Sequence, residues 1–337
     1  MKAVAFTHRL AIDVPGSLLD LELPVPRHGG HDLLVQVEAV SVNPVDTKLR
    51  AHGPPPTTPR VLGFDAAGTV LAVGGLVQDF AVGDRVYYAG DATRQGSNAQ
   101  CQAVDARLVA HAPRTLDAAQ AAALPLVSLT AWELLFQRMP FDSEHGGEGR
   151  SLLVIAGAGG VGSMAIQLAR LAGFRVVATA SRPQTAAWCR ELGAAEVIDH
   201  RHPLLPQLAA LGLAQVDAAL NLADTDRYWE VLGEAIAPQG HVGLIVEPRG
   251  PLPVGGAYKT KSIGIHWESM FTRSGAGTAD LAEQGRILAR VAALVDAGQL
   301  RDIARETLSP IDAARLRQAH ACIESGRSIG KLVLAGW

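Results

Sequence analysis

An apolar run, Leu152-Leu153-Val154-Ile155, leads directly into Ala156-Gly157-Ala158-Gly159-Gly160-Val161-Gly162. The run predicts a buried parallel strand. After the glycines, Val161, Ala165, Leu168 and Ala172 recur at helical spacing, which predicts an amphipathic helix. Strand, glycine turn and helix in that order is the context in which Gly-x-Gly-Gly-x-Gly reads as a dinucleotide fingerprint. Glycines let the backbone turn tightly and approach a pyrophosphate, and the free N–H groups at the helix start hold the anion. A glycine-rich turn with no ligand is the competing reading, which the units that follow weaken.

Those units alternate. Strands are predicted at 175–180, 195–198, 216–222, 241–246 and 262–267, with helices at 183–192 and 228–236. Alternation over about 115 residues predicts a doubly wound parallel sheet. Residues 1 to 125 read differently, as strands at 2–6, 32–42, 68–73, 85–89 and 100–109 separated by glycine and proline. The run Gly53-Pro54-Pro55-Pro56-Thr57-Thr58-Pro59 is extended in this reading, either a stiff lip beside a cleft or a plain surface loop. A helix is predicted over 117–137 with a break at Pro125. The tail adds helices at 281–297 and 311–325 and a last strand at 331–334, and is expected to return to the N-terminal domain.

With 337 residues, 48% of them hydrophobic and 19% charged, the chain has material for two domains with cores of their own. A formal charge of −3 without long charged blocks gives nucleic acid or an anionic membrane nothing to bind. Cys101, Cys189 and Cys322 lie too far apart for a disulfide framework or a Cys-x-x-Cys metal site. Met1 to Phe6 is too short an apolar run for a signal peptide, and no apolar stretch of 18 or more residues is expected. The expectation is a soluble, cytoplasmic protein acting on a small molecule.

A series of motifs then follows in a set order. Ser41-Val42-Asn43-Pro44-Val45-Asp46-Thr47-Lys48 comes first, then Gly63-Phe64-Asp65-Ala66-Ala67-Gly68 and Phe80-Ala81-Val82-Gly83-Asp84-Arg85-Val86. Gly96-Ser97-Asn98-Ala99, Leu124-Pro125…Thr130-Ala131, the glycine turn, and Gly330-Lys331-Leu332-Val333-Leu334 complete it. In this order they resemble the medium-chain dehydrogenase/reductase superfamily over essentially the whole length. More narrowly they resemble its zinc-lacking quinone oxidoreductase branch and the group called zinc-type alcohol dehydrogenase-like. The resemblance implies an α/β chain: a GroES-like β-rich domain over 1–125, completed by 269–337, a Rossmann NADPH-binding domain over 126–268, and a cleft between them. It also implies a homodimer, formed by pairing of the 262–267 strand across a two-fold axis.

Zinc-dependent relatives carry Cys where Asn43 stands and His-Glu where Phe64-Asp65 stands. Phe64 cannot ligate a metal, and an amide is a poor zinc ligand beside thiolate or imidazole. No metal site is therefore expected, and His28, His31 and His52 lack partners at ligand spacing.

About twenty residues past the glycines, an NAD enzyme carries an acid for the ribose diol. Here Ala178-Thr179-Ala180-Ser181-Arg182 contains none. Ser181 can hydrogen-bond a 2′-phosphate and Arg182 can pair with its charge, which points to NADPH; an exposed arginine at a helix start is the alternative. The resemblance adds His200, Thr130, Asn221, Gly243, Leu244 and Lys331 as cofactor contacts beside Gly157, Gly159, Gly160, Val161 and Gly162. It puts Phe64, Trp267, Met270 and Phe271 around the substrate, the last three as an apolar wall, with ordinary core packing the alternative for at least one of them.

Without a metal, another group must stabilise charge on a substrate oxygen. The Asn43 amide and the Lys48 ammonium are the candidate donors, and the Asn-Pro-x-Asp-x-Lys arrangement is similar to that of alkenal and enone reductases in the family. The alternatives are that Asn43 only fixes the turn before Pro44 and Lys48 points to solvent. A simple ketone concentrates charge on one oxygen, whereas an enone or quinone spreads it by conjugation. The expected activity is NADPH-dependent hydride transfer to a quinone or α,β-unsaturated carbonyl. A zinc-dependent alcohol dehydrogenase and a non-catalytic NADPH-binding protein are the rival readings.

Overall fold

A computed structural model describes all 337 residues. The chain packs as two compact units, one from Met1–Leu129 with Phe271–Trp337, the other from Thr130–Met270. The first stretch forms β1 (Lys2–Phe6), β2 (Leu19–Glu22), β3 (Asp32–Ser41), β4 (Arg60–Val61), β5 (Ala66–Val73), β6 (Arg85–Tyr88), β7 (Cys101–Asp105) and β8 (Val109–His111). The single strand predicted over 100–109 is two, because a 3-10 turn at Ala106–Leu108, capped by the Asp105 side chain, separates them. Pro44–Ala51 is a helix that periodicity did not disclose. The proline-rich run 53–59 is irregular and mostly exposed.

Ala118–Ala122 and Pro125–Glu133 are helical, and a π-turn at Leu134–Arg138 follows. Together Ala118–Arg138 is long and apolar enough to cross a membrane by length and composition, but 83% of its most apolar window is buried in the protein. Counting unbroken apolar runs missed it because Ser128, Thr130 and Glu133 interrupt the sequence.

The second unit holds β9 (Ser151–Ile155), β10 (Arg175–Thr179), β11 (Glu196–Ile198), β12 (Val216–Asn221), β13 (Ile236–Leu244) and β14 (Gly264–Trp267). They form one parallel sheet in the order β11-β10-β9-β12-β13-β14, the doubly wound order in which the chain starts in the middle and reverses beside β9. The Gly160–Leu171 helix after β9 is buried on nearly all sides over residues 162–169, not along one face as its spacing suggested. Leu153, Val177, Leu232 and Val242 are fully buried in this unit's core, each contributing roughly 1.5–3 kcal/mol.

The tail supplies β15 (Ala304–Leu308) and β16 (Lys331–Ala335), which return to the first unit and complete a seven-stranded sheet, β15-β16-β3-β5-β6-β8 with β7 also on β3. β16 runs antiparallel to β3 with Val333 opposite Ser41. β5 lies on the other side of β3 with Ala66 opposite Val40. The two strands approach so closely at Gly68 that a Cβ there would lie 2.0 Å from the Gln36 carbonyl oxygen, which explains the glycine.

Candidate functional site

In the first unit, the end of β3 and the starts of β5 and β16 lie side by side. They bring together Ser41, Asn43, Asp65 and Lys331, all at most 3% exposed. Asp65 accepts on Oδ2 from Ser41 Oγ (2.7 Å), Asn43 Nδ2 (2.7 Å) and Lys331 Nζ (3.0 Å). Its other oxygen accepts the Leu126 N–H, a first-turn donor of the Pro125–Glu133 helix, at 2.7 Å. Lys331 Nζ also donates to the Val42 carbonyl (3.1 Å) and to Asn43 Oδ1. Its three N–H donors are then all taken. The resemblance gave Lys331 as a cofactor contact; here its donors face the buried cluster.

Asn43 also caps the Pro44–Ala51 helix. Its backbone N–H donates to Asp46 Oδ2 (2.8 Å), half of a capping box, while its amide turns to Asp65 and Lys331. Asn at the cap, Pro at the first helical position and Asp two residues later were the signals for this missed helix. Asp46 accepts the Gly63 N–H at 3.0 Å as well. Burial pushes its carboxyl up to about 7, against the pull of the backbone donors and of Lys331. Lys48, on the same helix, is exposed and does not join the buried cluster. Phe64 is 1% exposed and packs edge-on against Phe271, with ring centroids 5.1 Å apart.

In the second unit, the glycine turn leaves β9 at its carboxyl end. Gly157 N–H donates to the Thr179 carbonyl (3.2 Å), tying the turn to β10. A Cβ on Gly162 would lie 2.5 Å from the Ala156 carbonyl and 2.7 Å from that of Gly157, so the helix start packs directly on the turn. Gly159, Gly160 and Val161 are half-buried, and the first-turn N–H groups have no partner within the helix. Ser181 and Arg182 follow β10 and are half-buried. His200 follows β11, and burial lowers its pKa.

Asn221, Leu244 and Trp267 lie in register beside Ile155 at the carboxyl ends of β12, β13 and β14. The glycine turn, Ser181, Arg182, His200, Asn221 and Leu244 thus share one sheet edge, where ligands of doubly wound sheets bind. The Asn221 side chain is tied locally, donating one N–H to the Asp224 carbonyl (3.1 Å) and accepting from Ala223 N–H (3.3 Å). Gly243 faces Met139 and Leu134, where a Cβ would lie 2.6 Å from the Met139 side chain. Thr130 is 6% exposed. Trp267 is 46% exposed and Met270 is 4% exposed, so the two are not equivalent members of an apolar wall.

A group that residue patterns missed lies in the same unit. Arg138 donates to Glu268 Oε2 (2.7 Å) and to Glu133 Oε2 (3.1 Å), and both carboxylates are at most 5% exposed. Their sequence signal was faint: acids standing inside apolar stretches.

The family model of the alcohol dehydrogenase GroES-like domain matches residues 29–123, and that of the zinc-binding dehydrogenases matches 192–334. A zinc-type alcohol dehydrogenase-like protein of Staphylococcus epidermidis is 38% identical over 99% of each chain. The chain belongs to the medium-chain dehydrogenase/reductase superfamily. It is an oxidoreductase of that superfamily. A chloroplastic quinone oxidoreductase of Triphysaria versicolor is 31% identical over 67% of this chain and 69% of its own. Among solved structures, a putative zinc-dependent alcohol dehydrogenase of Rhizobium etli is similar at 48% identity and a TM-score of 0.95, covering 100% of this chain and 98% of that one. A mycobacterial protein complexed with NADPH is similar at 27% identity and a TM-score of 0.83, over 99% of each chain.

Proposed function

We propose that this oxidoreductase moves hydride from NADPH to a quinone or an α,β-unsaturated carbonyl without a metal. The observation that carries the reading is the donor set around Asn43. Two of the similar proteins and one family model have zinc in their names, and these residues do not suit zinc. Phe64 has no lone pair to offer, the Asn43 oxygen already faces an ammonium, and no group of three His, Cys, Asp or Glu side chains is placed to hold a metal ion.

A nicotinamide cofactor fits the second unit, where the glycine turn presents first-turn N–H groups to a pyrophosphate. Ser181 and Arg182, with no acid at the end of β10, favour a 2′-phosphate and hence NADPH. The similarity to an NADPH complex and to a quinone oxidoreductase points the same way. NADPH, held by the first-turn N–H groups with Ser181 and Arg182, would supply a hydride for the β-carbon of an enone or for a quinone carbon. The C=C electrons of the acceptor then move to its oxygen, and a proton from solvent completes the product. Asn43 has one N–H beyond the one given to Asp65, and that donor stabilises the oxygen as charge develops. Lys48, exposed, serves at most as a second donor. In this reading the edge strand β14 pairs with its copy across a two-fold axis, and sedimentation of the wild type against a variant of its exposed last residue, Trp267→Glu, tests it.

The test of the activity is NADPH oxidation with a panel of 1,4-quinones, enones and simple ketones, run beside metal analysis of the same protein. Turnover of conjugated acceptors by zinc-free protein supports the proposal. Stoichiometric zinc, or turnover of simple ketones alone, overturns it.

A further inference from the structure

The cluster around Asp65 fixes more than its own charge balance. An ammonium can only donate hydrogen bonds and an ionised carboxylate can only accept them. Lys331 therefore requires the oxygen of the Asn43 amide, and Asp65 requires its nitrogen. With these two groups in place, the amide has a single orientation, with one N–H left over. Lys331 spends its ammonium on three oxygens, from the Val42 carbonyl, the Asn43 amide and the Asp65 carboxylate, at 3% exposure.

We infer that Lys331 is the resident cation of this site: its tethered ammonium stands in for a bound metal ion and positions the Asn43 amide. The inference rests on the metal-free reading above and assigns the positive charge which that reading otherwise lacks. Lys331 is a positioning residue, since it acts through Asn43. The three oxygens are neutral or singly charged hard donors, suited to a monovalent cation of ammonium size and not to zinc. Removing the lysine side chain leaves Asp65 buried without its counter-charge and opens the oxygen cage to a small cation from solution.

Lys331→Ala tests this with ammonium chloride as the probe and tetramethylammonium chloride, too large for the cage, as the control at equal ionic strength. The expected Tm of the variant is roughly 10 °C below wild type in tetramethylammonium and recovers in part in ammonium. Wild type has the same Tm in both salts. Ammonium also restores turnover of the variant through kcat and the acceptor KM, with the NADPH KM unchanged, because the cofactor-binding turn lies in the other unit. A variant indifferent to the identity of the cation overturns the role of Lys331. If Lys331→Ala does not fold, Asp65→Asn/Lys331→Ala, with no buried charge in the cage, is expected to fold and to ignore ammonium. Equal failure of both variants overturns the inference. Metal analysis of wild type separates the two levels: zinc there removes the metal-free reading, whereas cation indifference in a zinc-free protein removes only the lysine.

Discussion

Glu268→Gln is expected to stabilise the protein in alkali and to do nothing in acid. Glu268 follows β14 at 5% exposure beside the fully buried Glu133, with Arg138 the cation paired with both. Its Oε1 is buried without a hydrogen bond. Burial first, and the Glu133 charge second, push its carboxyl from 4.5 up to about 8, against the pull of Arg138. The folded protein thus holds this proton more tightly than the unfolded chain does. The sign follows: the contribution of Glu268 to stability is full below 4.5 and is lost as pH rises through about 8. Each pKa unit is worth 1.36 kcal/mol, so ionising Glu268 in place costs at most about 5 kcal/mol, and Glu133 shares that cost. Glutamine keeps the volume and the acceptor for Arg138 without the charge. The difference between variant and wild type should grow from near zero at acid pH to about 2 kcal/mol above pH ~8, roughly 4–8 °C in Tm. Thermal unfolding of both proteins across that range measures it. Parallel curves, or a gap that narrows with rising pH, would refute the assignment of a buried, proton-holding carboxyl pair.

Other substitutions probe the sites separately. Arg182→Ala should raise the Kd for NADPH at least about tenfold and leave that for NADH nearly unchanged, read by fluorescence titration, if its guanidinium meets a 2′-phosphate. Gly162→Ala drives a Cβ to 2.5 Å from a backbone carbonyl, so both dinucleotide affinity and Tm should fall, and an unchanged Kd would show that the turn does not hold the cofactor. Phe64→Ala, at a side chain 1% exposed against Phe271, should cost about 3–5 kcal/mol in denaturant unfolding without gaining zinc. Asn43→Ala should lower kcat about 100-fold with the NADPH KM unchanged, and equal turnover would remove the amide from the chemistry.

Much of the molecule follows from short-range rules. The apolar run into the glycine turn specifies a strand, a tight bend and a helix start, because each of those choices is made within a few residues. Alternating units then leave few topologies for a parallel sheet. The helix at Pro44–Ala51 was equally local, written in its cap and its proline. What lay beyond the sequence were encounters between distant segments. Lys331 meets Asn43 across 288 residues, and Glu268 meets Arg138 across 130. No periodicity or spacing announces such a pairing, since it depends on which strand β16 lies beside and in what register. A lysine at the head of an apolar strand looks like any surface charge until the sheet closes over it. Burial then raises the energy of an unpaired charge by several kcal/mol, so each such group needs its partner. Only the folded chain determines which partner that is.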